Sequence, residues 1–293
     1  MEASETKIES ATQQLVAADG FPLTATTFTA QTQGGAKAKG KILIAGATAV
    51  PQGFYRRFAE FAVEQGYAVM TLDYRGVGLS KPASLKGFEM NYLDWATLDL
   101  AAAVDAFADD TPLFLVGHSF GGHAFGLLPN HQKIARFYTF GSGAGWHGWM
   151  PKMEQVKVLF MWRVLGPLLT SWKGYLPWKM LGMGEDLPLD VYKQWKHWCQ
   201  FPHYFFDDPA MPHVAEKFAR INTPIIAANA LDDLWAPPRS RDAFMQAYRN
   251  TEMQFIDIDP RVTGAMGHMG YFRSSAQPLW ADVLTWFSSH KAS

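Results

Sequence analysis

Gly117-His118-Ser119-Phe120-Gly121 sets a serine between two glycines, at the junction of the apolar run "PLFLVG" and a glycine-softened segment with helical spacing. A serine on a sharp strand-to-helix turn is lifted above its sheet, and glycine two places to either side removes the side chains that would collide there. The next amide, that of Phe120, then faces the same space and suits a developing oxyanion. A serine hydroxyl is a poor nucleophile near neutral pH, so it needs a base, and the base needs an orienting acid. In such an architecture both follow the serine, acid first, each just past the C-terminal end of a late strand. Asp232 and Asp233 follow "PIIAANA", and His268 lies in "RVTGAMGHMGYF", between the last strand and the last helix. The other histidines fit the role poorly. His118 and His123 flank the turn and suit packing, His131 ends the helix after it, and His290 is near the C-terminus. His147, His197, His203 and His213 belong to a tryptophan-rich stretch or its edge.

The elements needed to position these groups are legible as alternating patterns. Residues 1–12 read as a loose arm, and Asp19-Gly20 between two β-prone runs reads as an antiparallel hairpin. Residues 30–40 read as a small Gly/Ala/Lys-rich loop. Strands are expected at "KILIAG" (41–46), "YAVMTLD" (67–73), "PLFLVG" (112–117), "RFYTFGS" (136–142), "PIIAANA" (224–230) and "EMQFIDI" (252–258). Helical spacing separates them over 54–66, 92–110, 240–249 and 277–290. That alternation implies an α/β fold with a mostly parallel, doubly wound sheet after an antiparallel start. From Gly143 to about Pro212 no strand pattern occurs, and the region holds seven of the 11 tryptophans. We read 143–212 as an inserted helical cap and 1–142 with 213–293 as the core domain. "VKVLFMWRVLGPLL" (156–169) has two readings, an interfacial helix lying on a membrane or a helix packed against the sheet domain, and the second is preferred.

Composition narrows the class further. The chain has 293 residues, 48% hydrophobic and 18% charged, with a net charge of −1. It can bury a substantial core, and nothing in its overall charge attracts nucleic acid or an anionic membrane surface. Cys199 is the only cysteine, which excludes an intrachain disulfide and a multi-cysteine metal site. The polar N-terminus lacks the basic and apolar regions of a secretory signal, and no apolar run approaches a membrane span, so a soluble cytoplasmic protein is expected.

With serine, acid and histidine in place, the chain resembles the α/β-hydrolase superfamily over nearly all its length. "DYRGVGLS" (73–80) looks like the family's D-x-R-G-x-G-x-S loop, and "GHMGYF" (267–272) is similar to its G-H-x-x-x-F histidine loop. "ANALDDLWAPP" (228–238) resembles G-x-x-D with proline four places later, a register that selects Asp233 over Asp232 and sets Pro237 in the proline position. Within the superfamily, the chain resembles predicted hydrolases grouped with serine aminopeptidases and lysophospholipases, many without an assigned substrate. The first loop departs from the family, reading "IAGATAV" with Ala45 where histidine is usual. The resemblance implies a second oxyanion donor at the Ala47 amide, with Thr48 as the fallback.

The expectation is therefore a metal-independent, cofactor-free serine hydrolase with Ser119 as nucleophile, His268 as base and Asp233 as orienting acid. A lid of about seventy residues suits a small or slender apolar carboxylic ester or thioester. Trp235, beside the acid, and Trp146 and Trp149, in the cap, are the expected substrate contacts. An acyltransferase using the same triad, an aminopeptidase or amidase, and a receptor-like protein that binds without turnover are the alternatives. The aminopeptidase ranks below the esterase, because no acidic cluster for a free amino terminus is identifiable. Dehalogenase and epoxide-hydrolase chemistry is disfavoured, since those relatives generally carry aspartate in place of Ser119.

Overall fold

The computed structural model describes residues 7–31 and 37–290. Eight strands form one sheet: β1 (Ile8–Val16), β2 (Pro22–Ala30), β3 (Lys41–Ala45), β4 (Ala68–Asp73), β5 (Leu113–His118), β6 (Ile134–Phe140), β7 (Ile225–Ala230) and β8 (Met253–Ile258). Their spatial order is β1-β2-β4-β3-β5-β6-β7-β8. β2 runs antiparallel to β1 and β4, and β4 through β8 are mutually parallel. β4, β5 and β7 are buried along their whole length, which is why each reads as a continuous apolar run rather than an alternating one.

The hairpin turns at Asp19-Gly20 as expected, but its first strand begins at Ile8, so the arm expected over residues 1–12 is strand from there on. Residues 1–6, and 32–36 of the expected Gly/Ala/Lys-rich loop, lie outside the described residues. The first half of β1 escaped recognition because Glu9-Ser10-Ala11-Thr12 is exposed and carries no alternating apolar side chains. Its outward polar side chains pair with β2 instead of alternating toward a core, as where the Thr12 and Thr26 hydroxyls meet at 3.2 Å.

Helices α1 (Arg56–Glu64), α2 (Ala101–Phe107) and α3 (Phe120–Phe125) lie in the crossovers from β3 to β6. Between β6 and β7 the chain makes a long excursion through α4 (Lys152–Phe160), α5 (Gly166–Lys173), α6 (Leu189–Trp198) and α7 (Val214–Ala219). There, a lone antiparallel bridge, Leu176 to Leu187, is the only β pairing among the described residues. α8 (Pro238–Met245) joins β7 to β8, and α9 (Pro260–Thr263) and α10 (Gln277–Ser288) follow β8. Phe58 and Val63 of α1 pack with Trp280, Val283 and Phe287 of α10 on one face of the sheet. Val104 of α2, Phe125 of α3 and Phe244 of α8 pack on the other. Both faces are covered, as a doubly wound sheet requires.

A π-helical stretch, Met161–Leu165, links α4 to α5. Val158, Met161 and Trp162 are buried on one face of this segment, and the Trp162 ring lies 5.8 Å from Tyr192 and 5.0 Å from Trp195, so that face packs against α6 of the excursion itself. Its other face is exposed: Met153, Val156, Phe160, Val164, Leu168 and Trp172 are all at least 42% accessible. Among the described residues no helix is long and apolar enough to cross a membrane.

Candidate active site

Ser119 leaves β5 with φ +53° and ψ −109°, a conformation a residue with a side chain adopts only when its surroundings enforce it. Its N–H donates to the Phe140 carbonyl at 2.9 Å, and its own carbonyl accepts from the Gly122 amide at 2.9 Å and the Ser142 hydroxyl at 2.8 Å. A Cβ on Gly121 would fall 2.0 Å from the Ala45 carbonyl oxygen, and one on Gly117 would fall 2.9 Å from the Gly121 carbonyl carbon. The two flanking glycines are thus a steric requirement of this turn. Phe120 anchors the far side, buried against Tyr92 (ring centroids 4.6 Å) and Trp95 (5.3 Å).

The Ser119 hydroxyl lies 3.0 Å from His268 Nε2. Nδ1 of the same ring lies 2.9 Å from Asp233 Oδ2 and 3.1 Å from Oδ1. A proton on Nδ1 donated to Asp233 leaves Nε2 free to accept from the serine, the tautomer a base needs. Asp233 sits just past β7 and is wholly buried, yet both its oxygens are satisfied. Oδ1 accepts from the Trp235 and Ala236 amides at 3.0 and 2.9 Å, and Oδ2 accepts from the Tyr271 hydroxyl at 2.9 Å. Burial alone would raise the Asp233 pKa, but the His268 charge and these hydrogen bonds outweigh it and hold the carboxyl below its ordinary value. Burial likewise works to lower His268, and Asp233 overcomes it, leaving the imidazole above its ordinary 6.5. Asp232 faces away and accepts the Met266 amide at 2.9 Å, tying down the loop that carries His268.

The structure corrects the expected second oxyanion donor. The Ala47 amide already donates to the Tyr55 hydroxyl at 2.7 Å, so it is not free for substrate. The next amide, Thr48, makes no hydrogen bond among the described residues, and Thr48 faces the same cavity as Ser119. The Phe120 amide opens α3, where a helix leaves its N–H groups without intrahelical acceptors.

Tyr55 and His118 form a connection that sequence spacing does not reveal. His118 is fully buried, and burial followed by the nearby His268 brings its pKa down to about 3, so it is neutral. Its Nε2 lies 2.9 Å from the His268 carbonyl and must donate to it, which makes Nδ1 an acceptor for the Tyr55 hydroxyl at 3.0 Å. Tyr55 in turn accepts from Ala47. One directional chain of hydrogen bonds therefore joins the loop after β3, the serine turn and the histidine loop.

Above Ser119 and His268 lies a cavity of about 360 Å³, walled by Phe54, Trp178, Met183, Trp195, Trp235 and Met269. Trp235 is one of these wall residues. Trp146 and Trp149 are not: neither lines the cavity, their rings pack edge to face at 5.5 Å, and the Trp149 indole donates to the Pro202 carbonyl. Trp178 and Trp195 take the place foreseen for them, and Trp195 stacks toward Trp235 at 6.0 Å. The excursion closes the rim where the Glu185 amide donates to the Ala49 carbonyl at 2.8 Å. Among the described residues no cluster of three or more His, Cys, Asp or Glu could hold a metal ion.

Residues 36–180 match the family model described as serine aminopeptidase, S33. No curated protein matches the sequence. The structure resembles a soluble variant of monoglyceride lipase from Saccharomyces cerevisiae at TM-score 0.66 and 15% identity, over 100% of this chain and 99% of that one. An esterase from Pyrococcus furiosus gives 0.58 and 14%, over 96% and 92%. An epoxide hydrolase from Vigna radiata gives 0.59 and 13%, over 97% and 98%. At such identities the likeness is one of fold, shared by different chemistries. With its sheet order, its serine turn and the matched family model, the chain belongs to the α/β-hydrolase superfamily.

Proposed function

We propose that the protein is a serine hydrolase of the esterase type, cleaving a carboxylic ester of a small or slender apolar substrate through an acyl-enzyme. The observation that carries this reading is the Ser119–His268–Asp233 relay, at 3.0 and 2.9 Å, opening into an apolar cavity. His268 takes the Ser119 proton as Oγ bonds to the substrate carbonyl carbon, and Asp233 holds the resulting imidazolium. The Phe120 and Thr48 amides receive the negative charge on the carbonyl oxygen. His268 returns the proton to the leaving alcohol as the ester C–O bond breaks. Water, deprotonated by the same imidazole, then releases the acid and restores Ser119. The excursion acts as a cap whose Trp178, Trp195 and Met183 exclude water and hold the acyl chain.

The ester reading is preferred to an aminopeptidase one because no carboxylate lines the cavity among the described residues, leaving a substrate ammonium without a partner. The test is an acyl-chain series of activated esters on the wild type and Ser119→Ala. Turnover should fall by roughly four to six orders of magnitude in the variant. Hydrolysis that survives the substitution would overturn the assignment.

A further inference from the structure

The six exposed apolar residues of the α4–α5 run recur three or four places apart: Met153, Val156, Phe160, Val164, Leu168 and Trp172. Over five α-helical turns that spacing drifts around the axis, but the π-helical stretch Met161–Leu165 turns less per residue and pulls the row straight. The result is a line of apolar side chains about 28 Å long on one side of a helix whose other side is already packed in the core. A soluble monomer rarely leaves so continuous a row uncovered.

The charges around the row indicate what covers it. Along the row itself, from Lys152 to Lys173, the chain carries Lys152, Lys157, Arg163 and Lys173 against one acidic residue, Glu154, although its overall net charge is −1. Arg163 forms no ion pair among the described residues, and Lys157 reaches Glu154 at 3.2 Å. At the end of the row Lys173 lies 4.0 Å from the Trp172 ring centroid, an exposed aromatic beside a cation, as suits the boundary between hydrocarbon and headgroups. The chain then continues through exposed Met180 to Met183, which is 43% accessible and also lines the cavity over Ser119.

We propose that this row is a lipid-facing surface, with the α4–α5 run lying in the interface of an anionic bilayer and Met183 turning the cavity rim toward it. The helix rests on the membrane rather than crossing it. The substrate of the proposed esterase would then enter from the lipid side, so this inference deepens that reading and rests on it for the identity of the reaction.

The test separates the two. Flotation of Ser119→Ala protein with vesicles of phosphatidylcholine and phosphatidylserine measures binding without turnover. The protein should float with these vesicles, and less with phosphatidylcholine alone or at raised salt. Phe160→Glu combined with Leu168→Glu, both exposed, should reduce binding about tenfold or more. In the Ser119 background the same pair should leave hydrolysis of a short, water-soluble ester unchanged, which also verifies the fold. Absence of flotation, or equal flotation of the glutamate variant, overturns the proposal. So does a wild-type dimer in solution that the glutamates convert to monomer, since the row would then be a protein interface. Failure of the esterase assay with intact flotation would remove the catalytic reading and leave the membrane surface standing.

Discussion

His268 is held between two opposing influences, and their balance sets the pH at which it can act as a base. Burial is the larger single effect and favours the neutral ring, while the Asp233 carboxylate, 2.9 Å away, favours the charged ring and prevails. Because its pKa is raised, the imidazole is protonated, and lost as a base, as pH falls through a value above 6.5. The acid limb of kcat/KM should therefore lie above 6.5. In Asp233→Asn only the burial effect remains, and the His268 imidazole, followed by NMR, should titrate below 6.5. The same change should cost about 10⁴ in kcat, because Asn no longer fixes the tautomer. An unchanged titration would mean that Asp233 does not govern the ring. Asp233 itself was legible through the proline four places on, and Ser119 through its glycines. The donor after β3 was not, because the Tyr55 hydroxyl that occupies the Ala47 amide comes from a residue no spacing rule connects to it.

Tyr55 begins the turn into α1, His118 ends β5, and the loop of His268 follows β8, yet their polar groups form one buried chain. Loops at the end of a sheet are its least constrained parts, and hydrogen bonds between them replace the missing ladder. Tyr55→Phe would leave the Ala47 amide and the His118 Nδ1 both buried without a partner. It should lower stability by about 1–3 kcal/mol, measured by urea unfolding. No loss would show that water satisfies both groups. Element types were readable where both faces of a strand are buried, as in β4, β5 and β7, and unreadable in the first half of β1, whose exposed polar residues carry no apolar period. Composition likewise marked the excursion as aromatic but could not say which tryptophans face inward. Trp146 and Trp149 turn to each other, and Trp178 and Trp195 to the cavity, because the backbone path between β6 and β7 decides it.

At the scale of the whole molecule, a rigid sheet holds a strained serine at its C-terminal edge while a helical excursion supplies part of the cavity wall and an outward apolar row. The division explains why the core was legible from sequence and the substrate was not. Core strands obey burial alone, whereas the cavity is a property of packing between distant segments. The family model and the structural neighbours agree with the fold, and those neighbours span different chemistries, so the reaction must be tested on this chain. The central claim is that the contact with His268 and Asp233 activates Ser119. Reaction with a fluorophosphonate, in which the serine oxygen displaces fluoride from phosphorus, measures that activation without knowledge of the substrate. Mass spectrometry should find one adduct, on Ser119, forming rapidly in the wild type and far more slowly in His268→Ala. A label on another residue, or a Ser119 that reacts no faster than an ordinary exposed serine, would contradict the account.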